Sequence, residues 1–418
     1  MFSDTSHNFV SYPSSSLKDY LLMFLLWPFL AFLIALKNYS QKESKKIVYI
    51  FLIYYGLTFV VGHTGNDAER YAWNLKHYSE MQFSAFFDII GGMYNSQTNV
   101  DIVEPLISFS VSRFTSFSGL LFAAYAALFG FFYIKSINLI HKRFIENPND
   151  NSFIHMAFFV MILPITAING FRMWTASWIF FYGAYHVILY RDIRYFILSL
   201  MACLVHFSFL SANAILIIYF LVRNRNEIYF PLVIASFILP NLLAPVFQFF
   251  FGNLGGALKS RANMYYNEST ILGRQEMQQQ LAWFMKIGED LILYYLVFAI
   301  IIIQLYKKSL REQIDKNLYS FLLLFLAFVN FGKSIPSFGG RFQIVFFMFA
   351  TLYVFLFFLK IENKRLHLIT WVGLFPMLLY SAIAFRQGSD SFNVMALTPG
   401  LGLPLLIPGI SIADLVFN

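Results

Sequence analysis

The chain is built from one long apolar run after another. Runs long enough to approach a bilayer's width occupy residues 20–36, 47–62, 118–134, 153–168, 171–190, 229–250, 288–306, 318–331, 342–359 and 366–385. The stretch 195–222 is longer still, and 394–416 is apolar but interrupted by Pro399, Pro404 and Pro408. Each run is continuous rather than alternating, the pattern of spanning helices and not of barrel strands. The expected fold is therefore all-α, a polytopic integral membrane helical bundle of about eleven to thirteen crossings. Residues 1–418 would form a single transmembrane domain, with outer loops at about 63–117 and 251–286. Composition closes the alternative of a soluble protein. Only 12% of the residues are charged, about half the ~25% of a soluble domain.

The net charge of +8 would suggest nucleic acid if the basic residues were pooled on one surface, but they punctuate the apolar runs instead. More than half of the 30 Lys and Arg lie in six short loops: Lys37 to Lys46, Lys135 to Arg143, Arg191 and Arg194, Arg223 and Arg225, Lys307 to Lys316, and Lys360 to Arg365. Short basic loops remain in the cytoplasm, so these six share one side and the N-terminus lies outside. No nucleic-acid partner is expected; membrane lipids surround the bundle. The segment 195–222 has basic flanks at both ends and reads as a bent hairpin of two short helices. The segment 101–117 reads as an interfacial helix. The N-terminal residues show no cleavable signal, and the lone Cys203 excludes a disulfide framework or a cysteine metal site.

Charged residues at a membrane are costly and mark function unless topology explains them. The cytoplasmic cations are explained. Arg70, Arg113, Arg172, Arg261, Arg274, Arg341 and Arg386 fall on the outer side, against the positive-inside bias. The planar guanidinium suits bidentate binding of phosphate, so an outer rim of arginines predicts a receptor for an anionic group such as a lipid-linked diphosphate. Arg172 and Arg341, each at the outer start of a span, are the first candidates. In His63-Thr-Gly65-Asn-Asp67-Ala-Glu-Arg70-Tyr71, Tyr71 lies one helical turn beyond Asp67 on the same face. Asp67 either orients or deprotonates a sugar hydroxyl or caps the helix. His206, at the tip of the expected hairpin, is a candidate base or phosphate ligand, with a packing role as the alternative. Glu104-Pro105 reads as a helix start. There is no His-x-x-x-His, Asp-x-Asp or phosphate-binding glycine loop, so neither metal nor nucleotide cofactor is expected.

Taken in order, these residues resemble the EpsG-like branch of the Wzy-type bacterial polysaccharide polymerases. The resemblance is carried by Gly65-x-Asp67-x-x-x-Tyr71, Glu104-Pro105, Asn169-x-x-Arg172 with Ala176, Ala202-x-x-x-His206-x-Ser208, and Gly340-Arg341. Ala68 stands where an aromatic often follows the aspartate, and the C-terminal tail has no counterpart.

The resemblance implies a metal-independent glycosyltransferase of the inner membrane with its active site facing the periplasm. It would polymerise undecaprenyl-diphosphate-linked repeat units into O-antigen or a similar surface polysaccharide, binding a lipid-linked donor and acceptor; a chain-length regulator would be a further partner. In that reading Arg172 and Arg341 hold the diphosphate with Arg274 and Arg261 as helpers. Tyr71, Asn169 and Glu104 contact sugar. His206 or Asp67 supplies the base, His206 favoured for the chemistry and Asp67 for positioning. An O-antigen ligase, or a lipid-linked oligosaccharide flippase or other transporter, is the alternative.

Overall fold

The structure is a computed structural model and describes residues 16–62, 67–92, 101–240, 283–306, 316–333, 335, 338–361, 363–402 and 409–417. These residues form helices and no strand. Five helical stretches are long and apolar enough to cross a membrane: Ser118–Glu146, Asp150–Tyr190, Trp283–Leu305, Gly339–Lys360 and His367–Ser389. Shorter apolar helices of 10–17 residues fill in around them. The chain is a polytopic helical membrane protein.

Within the described residues each expected run except the proline-broken 394–416 is found mainly as helix, and the breaks have local causes. The first run splits into α1 (Leu17–Leu26) and α2 (Pro28–Lys37). Pro28 has no N–H to continue the ladder and forces the residue before it out of helical geometry; Trp27 is accordingly extended. After α3 (Lys42–Leu57) come α4 (Asp67–Ser79), α5 (Phe83–Gly92) and α6 (Val103–Ser112), too short or too polar to span. The next helix, α7 (Ser118–Glu146), runs well past its apolar stretch. Residues 135–146 contain neither Gly nor Pro, and Ile140 and His141 are buried there, so the helix continues to Asn147 rather than ending in a loop. The run 150–190 consists of α8 (Asp150–Ile162) and α9 (Phe171–Tyr190), joined by the 3-10 turn Ile165–Gly170.

The segment 195–222 is a hairpin of α10 (Tyr195–Val205) and α11 (Phe209–Val222). Ser199 Oγ donates to Asn213 Oδ1 at 2.6 Å, and Asn213 Nδ2 donates to the Ser199 carbonyl at 3.0 Å. Phe196 meets Phe220 edge-on further from the tip. These pairings, symmetric about residues 206–208, require the two helices to run antiparallel. Beyond it lie α12 (Asn226–Ile238), α13 (Trp283–Leu305), α14 (Lys316–Phe331), α15 (Gly339–Lys360) and α16 (His367–Ser389).

The bundle is organised around α15. Its apolar window is 94% buried, the condition of a helix that is hydrophobic all round. It packs on α7, α8, α9, α13 and α14. Elsewhere small residues bring backbones together, as in membrane bundles generally. A Cβ on Gly56 of α3 would lie 2.4 Å from the Phe122 carbonyl oxygen of α7, and one on Gly183 of α9 would lie 2.8 Å from the Ser199 amide of α10.

The described residues of the proline-broken C-terminal run form no long helix. They form a 3-10 turn (Val394–Leu397), a bridge between Asn393 and Ser411, and the short α17 (Ile412–Phe417). The tail docks where α1 and α2 break. The Gly400 amide donates to the Leu26 carbonyl at 2.8 Å, and the Trp27 indole donates to the Leu397 carbonyl at 2.8 Å. Irregular backbone at membrane depth is tolerated only where protein groups satisfy it, and here tail and break satisfy one another.

The close approach of α3 and α7 is testable. Gly56→Leu places a side chain against backbone that cannot yield, so the upper end of the ~1–3 kcal/mol cost of overpacking is expected. Thermal unfolding of the purified protein in detergent should show a lowered midpoint.

Candidate active site

The helix ends at one side of the bundle carry most of the polar residues that topology leaves unexplained. Asp101 sits just before α6, and the Ile102 amide pins that segment to the end of α10 by donating to the Leu204 carbonyl at 2.9 Å. At His206 the backbone turns extended and α10 ends. The Phe207 amide at the hairpin tip donates to Asp101 Oδ1 at 2.8 Å. A carboxylate is well placed here, because the amides at a helix start are unsatisfied and carry partial positive charge.

The second carboxylate oxygen turns to α9. Arg172, its second residue, donates from Nη1 to Asp101 Oδ2 at 2.9 Å, with both side chains largely buried. Arg172 Nε donates to the Tyr71 hydroxyl of α4 at 3.3 Å. The His206 imidazole Nδ1 stands 3.7 Å from Asp101 Oδ1 and 3.4 Å from the Ser208 hydroxyl. One carboxylate thus joins the segment before α6, the start of α9 and the hairpin tip, and through Arg172 it reaches α4.

Glu104 lies one turn beyond Asp101 and faces the same neighbours. Ser108 Oγ donates to its Oε1 at 2.9 Å, and the Tyr125 hydroxyl donates to the same oxygen at 3.3 Å. Tyr125 in turn stacks on Phe171 at 3.9 Å and meets Tyr71 edge-on. Burial pushes the Glu104 carboxyl above the ordinary glutamate range, against the pull of Arg172 and of both hydrogen bonds. Burial likewise pushes the Tyr71 hydroxyl up to about 12, with Arg172 opposing and Asp67 and Glu104 adding to the rise.

Beside this network lies a cavity of about 650 Å³, within the range of small-molecule clefts. It is walled by the starts of α4, α13 and α15, the ends of α8 and α16, and the turn into α9. Its polar lining includes Asp67, Asn169, Trp174, Glu289, Asp290, Lys333, Gln343 and Gln387. Asp67 accepts from Arg70 Nη2 at 2.8 Å, and Lys333 Nζ lies 3.6 Å from Asp290. The Asn169 side-chain oxygen is buried with no hydrogen-bond partner among the described residues, an acceptor left unmet beside the cavity.

The residues expected from the sequence separate into groups. Asp67 and Asn169 line the cavity. Arg172 and His206 meet at Asp101 outside that lining, Tyr71 joins them through Arg172, and Glu104 is buried nearby. Tyr71 and Glu104, expected as sugar contacts, are buried, at 0% and 2% exposed, and their polar atoms are engaged by protein groups. Arg341 is half-buried at the start of α15 and pairs with no described carboxylate, while Gly340 before it lines the cavity. Arg261 and Arg274 lie outside the described residues. Other arginines expected on the outer side have local tasks. Arg113 donates to the Tyr78 and Met81 carbonyls and covers the Phe109 ring, and Arg386 pairs with Asp390.

Sequence reasoning passed over Asp101, Glu289, Asp290 and Lys333. For the acidic pair a signal existed: Glu289 and Asp290 open an otherwise apolar spanning run, where charge is expensive. Asp101 carried none beyond standing three residues before Glu104.

Compared with known protein families, residues 47–397 match the EpsG family. No curated protein and no solved structure matches the chain.

The buried network can be probed through its two carboxyls. Asp101→Ala strands the Arg172 cation, so a loss of about 3–5 kcal/mol is expected. Combined with Arg172→Ala, the loss should fall short of the sum of the two single losses when unfolding is followed in detergent. For Glu104 the raised folded value means that stability is present at acid pH and is lost as pH rises through that value. Glu104→Gln, a mimic of the neutral acid, should be more stable than wild type at about pH 8 and equal to it near about pH 4, as read by the unfolding midpoint.

Proposed function

Because this chain belongs to the EpsG family, we propose that it is a glycosyltransferase that polymerises lipid-diphosphate-linked oligosaccharide repeat units at the outer face of the bacterial inner membrane. The undecaprenyl diphosphate of a growing chain would be the leaving group, and a new lipid-linked repeat unit would be the acceptor. The observation that carries this reading is the cavity of about 650 Å³ at one end of the bundle, lined by side chains of both charges and amides. Saccharide hydroxyls need such mixed donors and acceptors. The mouth of a helical bundle also leaves the polyprenyl tails in lipid while their heads enter the protein.

The chemistry asked of the protein is modest. Bond energy resides in the diphosphate ester, so the enzyme has to orient the acceptor, accept its proton and stabilise charge on the departing diphosphate. Preorganised cations serve the last task best, since they need no reorganisation as charge develops. In this reading Arg172, held by Asp101 and Tyr71 behind the cavity wall, contributes positive charge to the site from there, and Arg341 supplies a fork at the start of α15. Asp67 and Asn169 orient sugar hydroxyls. His206 sits behind the wall, where it steadies Asp101.

Purified protein supplied with undecaprenyl-diphosphate repeat units should produce a ladder of longer lipid-linked glycans. Transbilayer movement without elongation, or transfer only onto a lipid A–core acceptor, would sink the reading. Arg341→Ala should stop chain growth while leaving the unfolding midpoint unchanged, because Arg341 has no ion pair with a described residue to lose. Arg172→Lys should retain the fold and lose most of the activity, a point charge being a poor replacement for a bidentate fork. Normal chain lengths from both variants would remove the diphosphate assignment.

A further inference from the structure

Three described carboxylates line the cavity, and they are not equivalent. Asp67 is held by Arg70 at 2.8 Å and Asp290 by Lys333 at 3.6 Å. Glu289 lines the same cavity, accepts no hydrogen bond and forms no ion pair with any described residue; Lys333 acts on it only at longer range. A carboxylate whose lone pairs are engaged by a cation is a weak proton acceptor, whereas a free one is available to a hydroxyl that enters the cavity. His206, the base expected from the sequence, is not part of the lining.

The helix that carries Glu289 makes the residue harder to explain as structure. From Leu291 to Leu305, α13 holds no charged side chain. Glu289 stands at the exposed start of this helix, and no ion pair among the described residues explains it as structure; a charge so placed on a spanning helix points to function. Asp67, Asn169, Gln343 and Gln387 line the same cavity. A saccharide held by the amides and Asp67 would bring a hydroxyl into the space that Glu289 also lines, where Glu289 is the carboxylate with no ion pair to a described residue.

We infer that Glu289 is the base of the glycosyl transfer, an assignment that rests on the polymerase reading. The acceptor hydroxyl gives its proton to a Glu289 carboxylate oxygen as its own oxygen forms the bond to the anomeric carbon of the donor sugar. The bond from that carbon to the diphosphate oxygen breaks, and its electron pair leaves with the lipid diphosphate. The proton on Glu289 then passes to water or to the released diphosphate. Asp290 and Lys333 form the pair that keeps the neighbouring carboxylate out of this role.

The test uses the full-length protein in detergent with undecaprenyl-diphosphate repeat units, read by the glycan ladder and by binding of the lipid-linked donor. Glu289→Gln should slow elongation by about 100-fold or more, the usual contribution of a general base, with donor binding retained. In Glu289→Ala, added formate should restore part of the rate by occupying the vacated space. A wild-type ladder alongside a near-normal ladder from Glu289→Gln would overturn the assignment, and loss in Asp67→Asn alone would pass the role to Asp67. If Glu289→Gln does not fold, a folded Glu289→Ala that formate cannot rescue overturns the assignment equally. Absence of any ladder from wild type would instead overturn the polymerase reading, and this assignment with it.

Discussion

The arrangement of helix ends depends on one buried carboxylate. Asp101 divides its oxygens between the Arg172 guanidinium and the Phe207 amide, so it holds α9 and the α10–α11 hairpin at a fixed separation. A buried ion pair is rarely a net gain over apolar packing, because two ions must be stripped of water. It becomes tolerable when the remaining polar groups are satisfied, and here several are. Arg172 reaches the Tyr71 hydroxyl, His206 approaches from the hairpin tip, and Ile102 ties the segment to Leu204. What such a pair supplies is register: the hairpin tip cannot slide along α9 without exposing a buried charge.

The same logic governs the rest of the bundle. With no water to satisfy stray backbone groups, every break in a helix must be met by protein. At Trp27 the partner is the C-terminal tail, at His206 it is Asp101, and at the α8–α9 junction a 3-10 turn bridges Ile162 to Phe171. Two of these three breaks border the proposed active site. A bundle of uninterrupted helices would close its end with side chains. The turn at Ile165–Gly170, together with Gly340 at the start of α15, leaves the cavity open instead.

Much of this was legible in the sequence. The apolar runs located the helices, the basic flanks of 195–222 indicated a hairpin, and Pro28 and the tail prolines marked the irregular places. The short motifs identified Asp67, Asn169, Arg172 and His206 as residues of one end of the bundle, and they do gather there. The distinction between lining and support was not legible. Tyr71 and Glu104 have the residue types of sugar ligands, yet both are buried against protein, Tyr71 on Arg172 and Glu104 on Ser108 and Tyr125. Arginines on one side looked alike, although Arg113 serves two carbonyls and Arg386 a neighbouring aspartate.

By itself the sequence determined that this chain lives in a bilayer and where its helices run. The reason is that membrane thickness and the need to satisfy backbone groups act on each segment separately, through composition and length that can be read locally. Tertiary structure alone decided which charges neutralise one another and which remain free. Asp101 finds Arg172 across 71 positions and the hairpin tip across 106. Among the described residues Glu289 is left without an ion pair because Lys333 reaches its neighbour instead. Pairing of this kind depends on distances between helices, and no local pattern encodes those.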